Sequence, residues 1–336
     1  MNTHDIEKYA PIIVPTCNRI HHLKNCIYSL KNCIDADKTM LFISVDYPPN
    51  ERYRNGYEEV LKFVKEGIEG FKLIKLYIQD KNLGPVDNIA FLVDEVCKYS
   101  DCWIFTEDDN EFAPDFLKYM NWGLTRFEKD ETVFAVCGFK SCKSINEESV
   151  YLSRFFQPYG YGTWINKYQK MLSQKDSVIL AKSNYHLREV YKLYKERPYF
   201  FHVFVTELIH QRRSVIWKNN LELNPIDAVI QIYLYKSNKR CVFPGKYKSR
   251  TKGNDGSGFT MKKEEINVEK VFPFQYVDSD TYKLSKQDDR IISRIENESF
   301  KLYHKQLLIS DWRKYFLFVI VGMNHGRYQH VKKFFR

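Results

Sequence analysis

Trp103-Ile104-Phe105-Thr106-Glu107-Asp108-Asp109-Asn110-Glu111-Phe112-Ala113-Pro114-Asp115-Phe116 changes character abruptly, an apolar run of β-formers ending in three consecutive carboxylates. Past Pro114, the residues Phe116, Leu117, Met120 and Leu124 recur at helical spacing, and proline is favoured in a first helical turn. The pattern predicts a buried strand that delivers acids to its carboxyl end, followed by a helix. In open α/β sheets ligands bind at that end. Acids crowded at a strand tip repel one another unless a cation or hydrogen-bond donors neutralise them, and hard carboxylate oxygens suit Mg²⁺ or Mn²⁺. A divalent ion bridging to a substrate diphosphate would do this. A solvated turn in which Asp or Asn caps the next helix is the plainer alternative.

Strands and helices alternate upstream of this stretch. Pro11 to Val14 reads as a first strand, followed by a polar loop through Arg19 and a helix over His22 to Leu30 with Leu23, Cys26, Ile27 and Leu30 on one face. Met40 to Asp46 reads as a second strand, again ending in a carboxylate, and Tyr47-Pro48-Pro49 breaks it. A helix over Tyr57 to Val64 and a third strand over Leu73 to Gln79 follow, then the turn Asp80 to Asn88, in which Gly84 precedes Pro85, and a helix over Ile89 to Cys97. Beyond the acidic stretch, Val133 to Phe139 is a further strand. Such alternation predicts an α/β fold with a mostly parallel sheet flanked by helices.

The chain has 336 residues, enough for one large domain with extensions or for two small domains, and its net charge of +10 suggests an anionic partner. Its 24 Tyr and 24 Phe fit a large core or carbohydrate-stacking surfaces equally well. Eight cysteines show no Cys-x-x-Cys pair, which favours reduced packing thiols in a cytosolic setting over a disulfide framework. The polar start, Met1 to Ala10, reads as no signal peptide, and the apolar run Tyr315 to Val321 is too short to span a bilayer. The expected location is cytoplasmic, peripheral at the inner face of the membrane.

In the second half, Phe155 to Trp164 combines glycines with large aromatics, the makings of a loop that lets a ring pack on a sugar; core packing is the alternative for Trp164. Asp227 heads an apolar helix, a position that also suits a simple N-cap. From Lys236 to Lys252 there are seven Lys or Arg and no acid, and glycines follow. That reads as a mobile basic lid over a diphosphate, with Arg250 and Lys252 as phosphate contacts, or as a solvated loop. The final segment, Lys301 to Arg336, carries eight Lys or Arg against one Asp among aromatics, the composition of an element that meets anionic lipid or of a helix with a basic outer face.

The Glu-Asp-Asp-x-x-x-x-Pro-Asp-Phe pattern of Glu107 to Phe116 resembles the metal motif of nucleotide-sugar glycosyltransferases with the GT-A fold. The likeness is to the N-acetylglucosaminyltransferase I type and its bacterial polysaccharide (capsule or O-antigen) relatives. The Cys17-Asn18-Arg19 triplet matches the same type, as does the order Asp227, helix, Lys239 to Pro244, Ser249-Arg250-Thr251 and glycines, though the family's tryptophans beside the Asp227 position are missing. The resemblance covers roughly residues 10 to 260 and implies a Mn²⁺- or Mg²⁺-dependent, inverting enzyme. It assigns the metal to Asp109, and ribose or donor sugar to Glu107 and Asp108. Nucleotide contact falls to Cys17 and Arg19, uracil reading to Asp46, the wall beside the nucleotide to Asn82 and Gly84, a sugar-facing ring to Trp164, and the general base to Asp227. The implied domains are a catalytic domain, 1–260, and a C-terminal helical extension, 261–336. The implied partners are a UDP-sugar, a glycan or lipid-linked glycan acceptor, and an anionic membrane surface, with no nucleic acid. A nucleotidyltransferase is the enzyme alternative, but Pro15 to His21 lacks the expected glycines. A non-catalytic basic module would leave the acidic strand tip unexplained.

Overall fold

β1 (Ile12–Thr16) pairs in parallel with β2 (Met40–Val45) on one side and with β4 (Cys102–Phe105) on the other. In the β1–β2 register Ile12 stands beside Leu41, Val14 beside Ile43 and Thr16 beside Val45. Side chains alternate across a strand, so these positions share one face. There Ile12, Val14, Leu41 and Ile43 join Leu23, Cys26, Ile27 and Leu30 of α1 (Ile20–Lys31) and Val60 and Val64 of α2 (Arg54–Glu66) in one core cluster. Ile13 and Phe42 point the other way and are also fully buried. α3 (Gly84–Val96) packs against the same two strands, and its buried Leu92, Val93 and Val96 stand outside that cluster. Both faces are therefore covered, which is why these strands read as continuous apolar runs. Each such side chain contributes about 1.5–3 kcal/mol on burial.

The structure, a computed structural model, describes residues 9–140, 149–174, 186–198, 200–202, 204–205, 226–257, 267–274, 282–285, 294, 297 and 308–317. Gly258 and, of the basic tail, residues 301–307 and 318–336 lie outside them. The main sheet runs β11-β7-β9-β6-β8-β4-β1-β2-β3, where β3 is Leu73–Ile78, β6 Val133–Cys137, β7 Ser149–Ser153, β8 Tyr161–Trp164, β9 Arg240–Phe243 and β11 Lys283–Leu284. β8 runs antiparallel to β4 and β6, and β7 antiparallel to β9; the other pairs are parallel. α4 (Phe116–Arg126) packs on β6 and β8, burying Phe116, Leu117, Met120 and Leu124 as their spacing predicts, and α5 (Ile165–Ser173) follows β8. The fold is the expected mixed α/β, with a mostly parallel sheet flanked by helices.

Two expectations change. The acidic stretch does not pass directly from strand to helix: Asn110–Phe112 forms a short strand, β5, paired antiparallel with β10 (Ser249–Thr251). The aromatic stretch ending at Trp164 is not all loop, because Tyr161–Trp164 is strand β8, closed between β4 and β6.

By contacts the chain divides into two units, Met1–Ser153, Gln157–Gln169 and Arg240–Lys286, and Arg154–Phe156, Lys170–Lys239 and Gln287–Arg336. The boundary after residue 260 follows the extent of the resemblance and stays a proposal. In the second unit, α6 (Leu187–Glu196) buries Val190 and Leu193, and Gln231 of α7 (Ile226–Lys236) accepts from Phe156 N–H and donates to the Arg154 carbonyl. Trp312 packs with Tyr191, Tyr194, Phe201 and Tyr315 within this unit, so Trp312 and Tyr315 of the basic tail serve packing here. Among the described residues no helix is long and apolar enough to cross a membrane.

Candidate functional site

Three parallel strands end side by side, and the residue at or just past each tip is polar: Thr16 for β1, Asp46 for β2, and Asp108 and Asp109 two turn residues beyond the reach of β4. The Asp46 N–H donates to the Thr16 carbonyl (2.8 Å), and Thr16 Oγ1 donates to Asp108 Oδ2 (2.7 Å). Arg19, the last residue before α1, spans the acid pair: one Nη donates to Asp108 Oδ1 and the other to Asp109 Oδ2 at 2.8 Å. Burial pushes the Asp108 carboxyl above its ordinary range, Arg19 pulls it back and Asp109 adds to the rise. For Arg19, burial disfavours the charge, but Asp108 and Asp109 outweigh it and hold the guanidinium more firmly protonated than usual. Asp109 Oδ1 is buried and has no hydrogen-bond partner among the described residues.

Asp46 organises a second corner. Its Oδ1 accepts from Leu83 N–H (2.8 Å), and its Oδ2 from Gly84 N–H (2.9 Å) and Asn82 Nδ2 (3.1 Å). Asn82 Nδ2 also reaches the Tyr47 carbonyl at 2.6 Å. Gly84 presents its N–H from φ +77°, a left-handed angle that favours glycine. Burial raises the Asp46 pKa, partly offset by the backbone donors. Cys17, half-buried, has its thiol pushed up to about 12 by burial and by the charges of Asp46 and Asp108, so it is a neutral wall between the two corners.

The tips thus gather Cys17, Arg19, Asp46, Asn82, Gly84, Asp108 and Asp109, with Glu107 partly exposed on the same turn. Two carboxylates, one with a spare buried oxygen, and a guanidinium are suited to a hard cation and an anionic diphosphate. Among the described residues no group of three or more His, Cys, Asp or Glu could hold a metal ion. A cation here would draw further ligands from the substrate.

The basic stretch is anchored up to residue 257. Lys248 forms a buried ion pair with Asp115, and Arg250 donates from Nε (3.0 Å) and Nη (2.7 Å) to Glu111 Oε2, its guanidinium 4.2 Å from the Phe274 ring. Lys252 Nζ pairs with Glu269. Arg250 and Lys252, expected as phosphate contacts on a mobile lid, are held by acids distant in sequence. The stretch still meets the acid pair through its backbone: Lys252 N–H donates to the Asp109 carbonyl (2.8 Å), and a Cβ on Gly253 would collide with Asp109 Oδ2. His22 Nε2 joins Asp255 Oδ2 (2.8 Å) and Ser257 Oγ (3.1 Å), fixing the segment to α1. Trp164, expected to face a sugar, is a core residue, 3% exposed, with its indole N–H on the Leu124 carbonyl and Lys167 Nζ over its ring. Asp227 is exposed in the first turn of α7, in the second unit. Sequence reasoning missed Thr16, Gly253 and the His22–Asp255 tie. Of these, only Thr16 carried a local signal, a hydroxyl at the first strand tip.

The glycosyl transferase family 2 model matches residues 12–193, more than half of the chain. No curated protein matches it. Among solved structures, S. aureus TarS 1-349 in complex with UDP-GlcNAc is 14% identical with a TM-score of 0.31, over 44% of this chain and 35% of that one. S. aureus TarS is 12% identical with a TM-score of 0.33, over 50% of this chain and 30% of that one. The chain therefore spans about a third of the length of these structures, and scores of this size are too low to decide the fold.

Proposed function

This chain belongs to glycosyl transferase family 2, and from that premise we propose that it is an inverting, divalent-metal-dependent transferase moving a hexosyl unit from a UDP-sugar to a glycan or lipid-linked glycan hydroxyl. The setting we propose is bacterial surface polysaccharide synthesis, at the inner face of the membrane, with an N-acetylglucosaminyltransferase I-like arrangement of residues. The observation that carries the reading is the acid pair at parallel strand tips, bridged by Arg19, with Asp109 Oδ1 buried and unpartnered among the described residues.

Asp109 is the residue that would hold Mn²⁺ or Mg²⁺, with Glu107 and Asp108 toward the ribose or donor sugar; when bound, such an ion supplies charge stabilisation for the departing diphosphate. In this reading Arg19 exchanges the carboxylates for phosphate oxygens, its planar fork matching both partners. Asp46, held by Asn82, Leu83 and Gly84, keeps lone-pair capacity on Oδ1 for a base N–H. Asp227 takes the proton from the acceptor hydroxyl as that oxygen attacks the anomeric carbon and the diphosphate leaves from the opposite face. The test is calorimetric titration with UDP, GDP and CMP, each with and without Mn²⁺. The expected result is UDP binding that needs the metal and is lost in Asp109→Ala. Metal-independent binding, or no nucleotide binding, would overturn the reading.

A further inference from the structure

A cavity of about 360 Å³ is lined by α1, by the β5–β10 pair and by Pro114 and Phe274. That volume is within the range of small-ligand sites, roughly 300–1,000 Å³. Asn25 and Tyr28 of α1 and Asn32, the residue that caps its C-terminus, follow one another at spacings of three and four, which puts Asn25 and Tyr28 on one helix face, opposite the buried stripe of Leu23, Ile27 and Leu30, with Asn32 just past the helix end. Tyr28 stands about 13 Å along the helix from Arg19 at 1.5 Å per residue. Its ring is 69% exposed in a wall of the cavity, an aromatic surface the fold leaves open.

The polar lining is neutral in sum and rich in spare hydrogen-bonding groups. Glu111 and Arg250 cancel each other's charge through two hydrogen bonds to one oxygen, Oε2, which leaves Arg250 Nη1 without a hydrogen bond among the described residues. The side-chain amides of Asn25 and Asn32 likewise have no hydrogen bond among the described residues, and each offers both a donor and an acceptor. Phe274 packs on the Arg250 guanidinium and adds a second aromatic surface. Cancelled charge disfavours a phosphate. Amide edges that both donate and accept, a guanidinium edge that donates and a carboxylate edge that accepts suit adjacent hydroxyls of a pyranose, and the aromatic rings suit its C–H face.

We propose that this cavity binds a neutral sugar ring, one unit of a glycan, without nucleotide or metal. The site stands apart from the transfer reading, since its occupancy requires none of the strand-tip residues. The experiment titrates the ¹⁵N-labelled full chain with maltose and with N,N′-diacetylchitobiose, in the absence of nucleotide and divalent ion, and follows the Asn side-chain amide resonances. At least one disaccharide is expected to cause saturable shifts at Asn25 and Asn32 that saturating UDP does not displace. Tyr28→Ala, at an exposed helix position, and Asn32→Ala, at the exposed residue after the helix, are each expected to weaken that binding at least tenfold while the remaining resonances hold their places. Absence of saturable shifts with both disaccharides, unchanged affinity in both variants, or displacement by UDP would each overturn the proposal.

Discussion

Replacing Lys248 by Met tests how the β5–β10 pair is held beside the acid cluster. Lys248 and Asp115 form an ion pair whose side chains are 3% and 1% exposed, and Asp115 Oδ1 is buried with no hydrogen-bond partner among the described residues. Burial lowers the Lys248 pKa, and Asp115 only partly restores it, so desolvation outweighs the attraction within the pair. Lys248→Met therefore strands a carboxylate in the interior at a cost of about 3–5 kcal/mol. Asp115 sits at the N-cap of α4 without a side-chain capping bond, so its own removal sacrifices no cap. The double variant Lys248→Met/Asp115→Leu is accordingly expected to recover to within about 1 kcal/mol of the parent, because hydrophobic replacement of a buried pair is often neutral or stabilising. Hydrogen exchange is the assay, read at Ala113 N–H, which donates to the Lys248 carbonyl, and at Lys248 N–H, which donates to the Gly138 carbonyl. At 1.4 kcal/mol per decade, exchange at these amides should accelerate roughly 10²- to 4 × 10³-fold in the single variant. A single variant within threefold of the parent, or a double variant no better than the single, would refute the reasoning.

Asp227→Asn should keep UDP affinity but lose roughly 10²- to 10⁴-fold in turnover, the range for general-base help; equal turnover would remove Asp227 from the role. Gly84→Ala meets no atom within 4 Å of the new Cβ, so its cost is conformational, about 1–2 kcal/mol from φ +77°. It should appear as a lower midpoint in thermal unfolding, with Gly84→Asn less affected. Asp255 is held at about 2 where the ordinary value is 3.8: burial opposes this, and Ser257 and His22 together prevail. A depressed carboxyl stabilises above its unfolded pKa and loses that contribution as pH falls through the folded one. Protection of the Ser257 amide, which donates to Asp255 Oδ1, should therefore fall between about pH 4 and 2, and Asp255→Asn should show no such step.

Reading along the chain sufficed for the strands β1 to β4, the helix faces and the acids at the tips, because apolar periodicity and strand-end polarity are local properties. Leu23, Cys26, Ile27 and Leu30 lie on one face whatever they pack against, and an acid closing a buried strand must emerge at its end. Charge partners are not local. Arg19 meets Asp109 across 90 residues, Lys248 meets Asp115 across 133 and Arg250 meets Glu111 across 139, so Lys248 and Arg250, which read as free cations in the basic stretch, are paired once the chain closes. Trp164 shows the same limit for packing: a tryptophan beside glycines has one composition whether it lines a ligand or fills a core. Its place was decided only when β8 paired between β4 and β6, burying the ring and giving its N–H the Leu124 carbonyl. Sequence alone determined which surfaces are apolar and where the backbone must turn; tertiary structure decided which polar groups meet, because each pairing depends on distances that exist only after the sheet has assembled.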